Sequence, residues 1–283
     1  MRVFVADAFT SEKFSGNQAG IVLLEKGEDY PGEEFMKKLA AELKHSETVF
    51  VKQEGEGVFR LRYFTPTEEV DLCGHATIAT FSTLREEGWI QEGMYKALTL
   101  AGELEIAVED RGVWMDMAVP CLFREFSREE SRELYEAFGL GEGDRPELLP
   151  KIISTGLPDI MVPVASKKAL DGFVMDRERV VALSEKYEVI GMHLFALDLE
   201  GKVTAYCRNV APLVGIDEEC ATGTSNGALT HYLDLEGLID RAGENTFVQG
   251  ESMGRASVIK SRYRGSTIVI GGDAVITMEC FLW

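Results

Sequence analysis

Apolar runs of membrane-spanning length are missing from this sequence of 283 residues, so a transmembrane helix is excluded. Cationic residues are scarce, with 29 Lys and Arg against 48 Asp and Glu and a net charge of −19. That balance argues against nucleic acid, or an acidic membrane surface, as a partner. A solubilising acidic surface accounts for the charge. It leaves a small anionic ligand open, because a helix N-terminus is locally positive whatever the net charge. Cysteine is sparse too: five residues, an odd number, at 73, 121, 207, 220 and 280, without close spacing. Neither a disulfide framework nor paired metal-ligand spacing can be read from them, and no metal is expected. Residues 1–5 do not read as a signal peptide, so the chain is expected in the cytoplasm with reduced thiols.

Charge is also missing from two short segments, and these organise the rest. From His75 to Leu84 no side chain is charged, counting His as neutral, and Ala76, Ile78, Ala79, Phe81 and Leu84 suit a helix. A helix without a charged face has to be surrounded by protein. Gly88, following Arg85-Glu86-Glu87, is placed to end it. Its first turn carries Cys73, Gly74 and His75, two reactive side chains beside free backbone N–H groups. Such an end, opening on a cleft, would hold an anion and favour a thiolate. The run from Cys220 to Leu229 is again small and uncharged, no charge follows until Asp234, and Gly237 closes the segment. Both segments follow acidic residues, Glu68, Glu69 and Asp71 in one case and Asp217, Glu218 and Glu219 in the other. Each places a cysteine just ahead of its helix, 147 residues apart, which reads as a duplicated half.

In chain order, strands are expected over 1–9 and 21–24, with a tight turn over 14–20 between them. A helix over 33–44 leads into a strand over 45–51, which puts Glu47 at a helix–strand junction. Further strands are expected over 58–64, 98–108 and 112–119. A charged surface helix over 127–138 and a polar connection over 141–146 mark the passage between halves. The order then repeats: strands over 152–155 and 160–164, a helix over 176–187, strands over 189–199 and 202–209, and β-like stretches to 282. The N-terminal half is expected over 1–118, completed by the strand 272–283, and the C-terminal half over 119–271.

Gly16-Asn17-Gln18-Ala19, Ser46-Glu47-Thr48, Phe64-Thr65-Pro66-Thr67, Cys73-Gly74-His75-Ala76-Thr77, the run from Gly215 to Gly223, Gln249-Gly250 and Met253-Gly254-Arg255 occur in this order. Together they resemble the PhzF-like phenazine-biosynthesis isomerase family over essentially the whole chain. The resemblance implies an α+β fold of the diaminopimelate epimerase-like type. This has two pseudo-symmetric halves, each a mostly antiparallel sheet wrapped round a central helix, with the site in the cleft between them. It implies no metal or organic cofactor, a small carboxylate-bearing substrate and a homodimer. The family's proton-shuttling glutamate falls on Glu47, its histidine on His75, its second-half aspartate on Glu219 and its serine on Thr224. Glu219 for aspartate, Cys220 for proline and Thr224 for serine depart from the pattern. Asn17, Gly74, Ala76, Thr222, Gly223 and Thr224 fall on substrate-binding positions.

A second branch of the same fold is similar at the cysteines. Proline racemases and diaminopimelate epimerase place one cysteine before each central helix, and Cys73 and Cys220 are read as matching both. Two thiols on opposite faces of a Cα suit stereoinversion, since one removes the proton while the other supplies one. The expected function is therefore a cofactor-independent isomerase using Glu47, with His75 and Glu219 as partners. A two-cysteine racemase or epimerase is the alternative, and a non-catalytic ligand-binding homologue the rival from another class. A cysteine hydrolase is weaker, lacking an orienting third group. Cysteine is often only a small buried apolar side chain, and Cys121, Cys207 and Cys280 are given that reading. His45, His193 and His231 are likewise read as structural, and Arg255 as bracing a loop or meeting a carboxylate.

Overall fold

The computed structural model describes residues 1–282. They fall into two units: Met1–Asp116 together with the chain from Gly271 onward, and Met117–Ile270.

In the first unit β1 (Arg2–Ala8) and β2 (Asn17–Leu23) are antiparallel. Helix α1 (Glu33–Leu43) then returns the chain to β3 (Glu47–Gly55), which lies parallel to β2. β4 (Val58–Phe64) and β5 (Glu69–Val70) precede α2 (Gly74–Glu86), and β6 (Gly93–Thr99), β7 (Gly102–Glu109) and β8 (Gly112–Asp116) follow it. β4 pairs with β6 in parallel, and the β6–β7–β8 meander is antiparallel. The second unit runs through β9 (Cys121–Glu125), α3 (Arg132–Glu136), β10 (Lys151–Ser154), β11 (Pro158–Pro163), α4 (Lys167–Gly172) and α5 (Arg177–Tyr187). β12 (Gly191–Leu197), β13 (Ala205–Ala211), β14 (Ile216–Glu219), α6 (Gly223–Leu235), β15 (Asn245–Gln249) and β16 (Ser257–Arg264) complete it. β17 (Thr267–Gly272) carries the chain back to the first unit, where β18 (Ala274–Phe281) pairs antiparallel with β1.

The pairing scheme is used twice. β11–β12 is parallel as β2–β3 is, β12–β13 antiparallel as β3–β4 is, and β13–β15 parallel as β4–β6 is. Each scheme surrounds one helix. α2 packs against β1, β2, β3, β8 and β18, and α6 against β10, β11 and β16. Residues 75–84 of α2 are all buried, as the absence of charge requires. Its threonines are tolerated there because Thr77, Thr80 and Thr83 donate their hydroxyls to the carbonyls of Cys73, Ala76 and Ala79 at 2.7–2.8 Å.

Three local expectations need correction. The segment 14–20 is only partly a turn, since β2 begins at Asn17, which pairs with Ala8. The single strand over 98–108 is a hairpin, turning at Leu100-Ala101 into Gly102, whose φ of +118° suits glycine. Alanine and leucine carry no turn signal, so the apolar run hides the reversal. The charged surface helix over 127–138 is a five-residue α3, and Leu134, Tyr135 and Phe138 join the core with Phe126. β9 and α4 lie outside any expected element. No helix among the described residues is long and apolar enough to cross a membrane.

Candidate active site

In the first unit, α1 ends on Lys44 in the left-handed conformation, and three residues later the chain enters β3 at Glu47, opposite Ala19 of β2. α2 starts at Gly74 with Cys73 as its extended N-cap residue (φ −136°, ψ 114°). The first intrahelical bond runs from Thr77 N–H to Cys73 C=O, so the N–H groups of Gly74, His75 and Ala76 precede the ladder. Beneath them the Tyr63 and Thr77 hydroxyls meet at 2.7 Å and fix the turn from below.

His75 Nε2 lies 3.3 Å from Glu47 Oε2, with the His75 side chain 6% and the Glu47 side chain 19% exposed. That oxygen is buried without a hydrogen-bond donor of its own, so this edge of the carboxylate is committed to nothing but the imidazole. Cys73 Sγ stands 3.3 Å from Nδ1 and 3.7 Å from Nε2 of the same ring. Near-equal distances to both nitrogens place the sulfur beside the ring and off the lone-pair line of either one. The glutamate, cysteine and histidine donor atoms lie within 4.8 Å of one another. The geometry as it stands is a carboxylate–imidazole pair with a thiol alongside. Asn17 is buried at the head of β2, two residues before the partner of Glu47.

In the second unit, Glu219 ends β14 and accepts the Thr222 hydroxyl at 2.6 Å. Gln249 ties this end together. Its Nε2 donates to Glu219 C=O at 2.7 Å and to Thr222 Oγ1 at 3.1 Å, while its Oε1 accepts from Thr222 N–H and Asn226 Nδ2. At Gly250, φ is +82°, and a Cβ would stand 2.6 Å from Cys220 C=O, so only glycine fits. Thr155 Oγ1 donates to Thr224 C=O at 2.8 Å.

α6 starts at Gly223, and its extended N-cap residue is Thr222 (φ −127°, ψ 99°). Here the first intrahelical bond runs from Asn226 N–H to Thr222 C=O. Gly74 and Gly223 are therefore equivalent, an offset of 149 residues, and each opens a helix of 13 residues. The closing turns agree, Trp89 N–H bonding Leu84 C=O and Leu238 N–H bonding Leu233 C=O. In this register Cys73 corresponds to Thr222. Cys220 lies two residues upstream of the N-cap, and its counterpart in the first unit is Asp71. Burial, assisted by the neighbouring Glu219 charge and opposed by Arg255, pushes the Cys220 thiol up to about 11. Desolvation thus favours the thiol over the thiolate at Cys220.

Gln249 and Tyr63, which organise the two helix ends, were not among the candidate site residues. Gln249 stands in the motif Gln249-Gly250, which is the signal that marks it. Tyr63 sits in a strand of apolar and basic residues and gives no such signal.

Comparison with known proteins agrees with this architecture. The family model described as phenazine biosynthesis-like protein matches residues 6–280. A protein named uncharacterized isomerase from Deinococcus radiodurans is 37% identical, over 96% of this chain and 91% of its own. The crystal structure of a Bacillus anthracis phenazine biosynthesis protein of the PhzF family superposes with a TM-score of 0.86 at 29% identity, covering 99% of this chain and 98% of that one. A hydroxyproline epimerase from Agrobacterium vitis shares the fold at 12% identity, with a TM-score of 0.64 over 99% of this chain and 90% of that one. With the family model spanning nearly the whole sequence and an isomerase as a full-length relative, the chain belongs to the phenazine biosynthesis-like (PhzF) family and is an enzyme of the isomerase class.

Proposed function

We propose that this isomerase moves a proton on a small carboxylate-bearing substrate without a cofactor, and that Glu47 carries the proton. The supporting observation is the Glu47–His75 pair: the buried oxygen of a partly exposed carboxylate stands 3.3 Å from an imidazole nitrogen, with no hydrogen-bond donor besides it. A carboxylate held this way can take a proton from an acidified carbon and return it elsewhere on the same molecule, while the imidazole fixes its direction. The N–H groups that open α2, at Gly74 and Ala76, serve as donors to substrate oxygen, and α6 offers donors of the same kind at Gly223 and Thr224. Glu219, held by Thr222, orients the second helix end.

The two-thiol racemase is the lesser reading. Cys220 is out of register with Cys73 and burial makes it hold its proton, whereas a base must give its proton up first. The test is incubation in D₂O with a panel of amino and cyclic carboxylic acids, read by mass spectrometry. Deuterium should enter one class of compound with wild-type and Cys220→Ser protein, and not with Glu47→Gln. Undiminished exchange by Glu47→Gln would remove the proposal.

A further inference from the structure

The most enclosed ionisable cluster outside the Glu47 pair lies in the second unit. Asp159, 5% exposed at the head of β11, accepts from Gly191 N–H at 2.9 Å, from Asn209 Nδ2 at 3.5 Å, and from the Ser225 hydroxyl in a short hydrogen bond. Asn209 Nδ2 also lies 3.1 Å from Ser225 Oγ and 3.3 Å from His193 Nδ1. Three donors converge on one carboxylate, so the ionised form is fully served despite its burial. Burial pushes Asp159 up from the usual aspartate range, and holds the adjacent His193 neutral, down at about 3.

The duplication shows what the cluster is not for. Asp159 opposes Gly191 across a parallel pair, as Ala19 opposes Glu47 in the first unit. Ser225 is the third residue of α6, as Ala76 is of α2. At both positions the first unit has alanine and still builds the same helix of 13 residues. The scaffold therefore does not require an Asp–Ser clasp. A buried carboxylate is costly to keep, so one bonded to the first turn of α6 calls for a role at that end.

We propose that Asp159 is a positioning residue: through Ser225 it locks the first turn of α6, so that the Gly223 and Thr224 N–H groups keep a fixed direction toward a substrate carboxylate. This rests on the reading of the α6 end as the anion-binding end. Thr155, bonded to Thr224 C=O, braces the same turn from the adjoining strand end.

The experiment is ¹⁵N relaxation on the full chain, comparing wild type, Asp159→Asn, Ser225→Ala and the double variant, with acetate as the probe anion. In wild type the Gly223 and Thr224 amides should show rigid order parameters of about 0.85, and in either single variant these should fall below about 0.6, with Leu229 and Leu233 unchanged. The double variant should be no looser than the singles, since both residues act through one bond. Acetate affinity at those two amides should drop about tenfold in Ser225→Ala, which leaves every charge in place. If Asp159→Asn does not fold, Ser225→Ala decides on the same scale. A folded Ser225→Ala with wild-type order at Gly223 and Thr224, or with order lost evenly along α6, would overturn the proposal. Acetate that leaves the wild-type Gly223 and Thr224 signals unmoved would instead count against the anion-binding reading, while the order parameters still judge Asp159.

Discussion

The beginnings of α2 and α6 are built to one plan and furnished differently. Both follow an extended N-cap residue, open on glycine and receive a bond from the fourth residue after the cap. At α2 the first turn faces titratable groups, with Cys73 and His75 on the helix and Glu47 on the neighbouring strand. At α6 the equivalent positions are Thr222 and Thr224, hydroxyls that do not titrate near neutrality, and the charge sits underneath at Asp159. Duplication supplied two amide-lined helix ends. On the proposed reading, one end carries a proton and the other holds its shape. Equivalent substitutions at the two ends should therefore have unequal effects.

The sharpest way to break the comparison is at Glu47. Glu47→Gln should lower solvent-deuterium exchange by about 10²–10⁴-fold, the range for losing a general acid–base group, with unchanged thermal midpoint. The next contrast is structural. Asn226→Leu removes donors to both Thr222 C=O and Gln249 Oε1, leaving buried acceptors behind, and should cost about 2–3 kcal/mol in urea unfolding. Its counterpart Thr77→Val removes the Tyr63 and Cys73 bonds at 2.7 Å and should cost about 1–2 kcal/mol. Equal costs would argue that the two ends are braced alike.

A pH series sharpens the comparison further, because the second unit holds a histidine that burial keeps neutral. The folded chain holds His193 near 3 against an ordinary 6.5, so below 6.5 the unfolded chain takes up a proton that the folded chain refuses. Stability should fall as the pH drops from 6.5 toward 3, and His193→Gln should flatten that slope in urea midpoints. Asp159 works in the opposite sense. Its raised value favours the folded chain at low pH and loses that contribution as the pH climbs through it. The smallest effect is expected from Cys220→Ser, with exchange within about threefold of wild type. A loss of the size expected for Glu47→Gln would restore the two-thiol reading.

The central helices are legible in the sequence because burial on every side forbids charge, and residues 75–84 and 223–233 carry none. Glu47 is different. Its helix–strand junction can be read locally, but its role comes from resemblance, and its pairing with His75 depends on a parallel strand contact that no local pattern encodes. The offset at Cys220 is hidden for another reason. Ala221 and Thr222 are small, uncharged and compatible with helix, so nothing between Cys220 and Gly223 announces where the ladder starts. Thr222 is a favoured N-cap type, yet its hydroxyl goes to Glu219 and not to the helix. Asp159 and His193 are masked by the apolar strands around them, and only the geometry of the sheet brings them together under Ser225.

The exchange of strands at the two ends of the chain sets an order of assembly. β1 finds its neighbour β18 only after more than 260 intervening residues have been made, whereas β9 to β16 are all made before β18. On a ribosome the later-made unit can close first, while the earlier one waits with one flank of β1 bare. A stop ahead of Ala274 would leave that flank permanently open, a template for pairing with other chains, and the defect would be insolubility well before any question of chemistry arose.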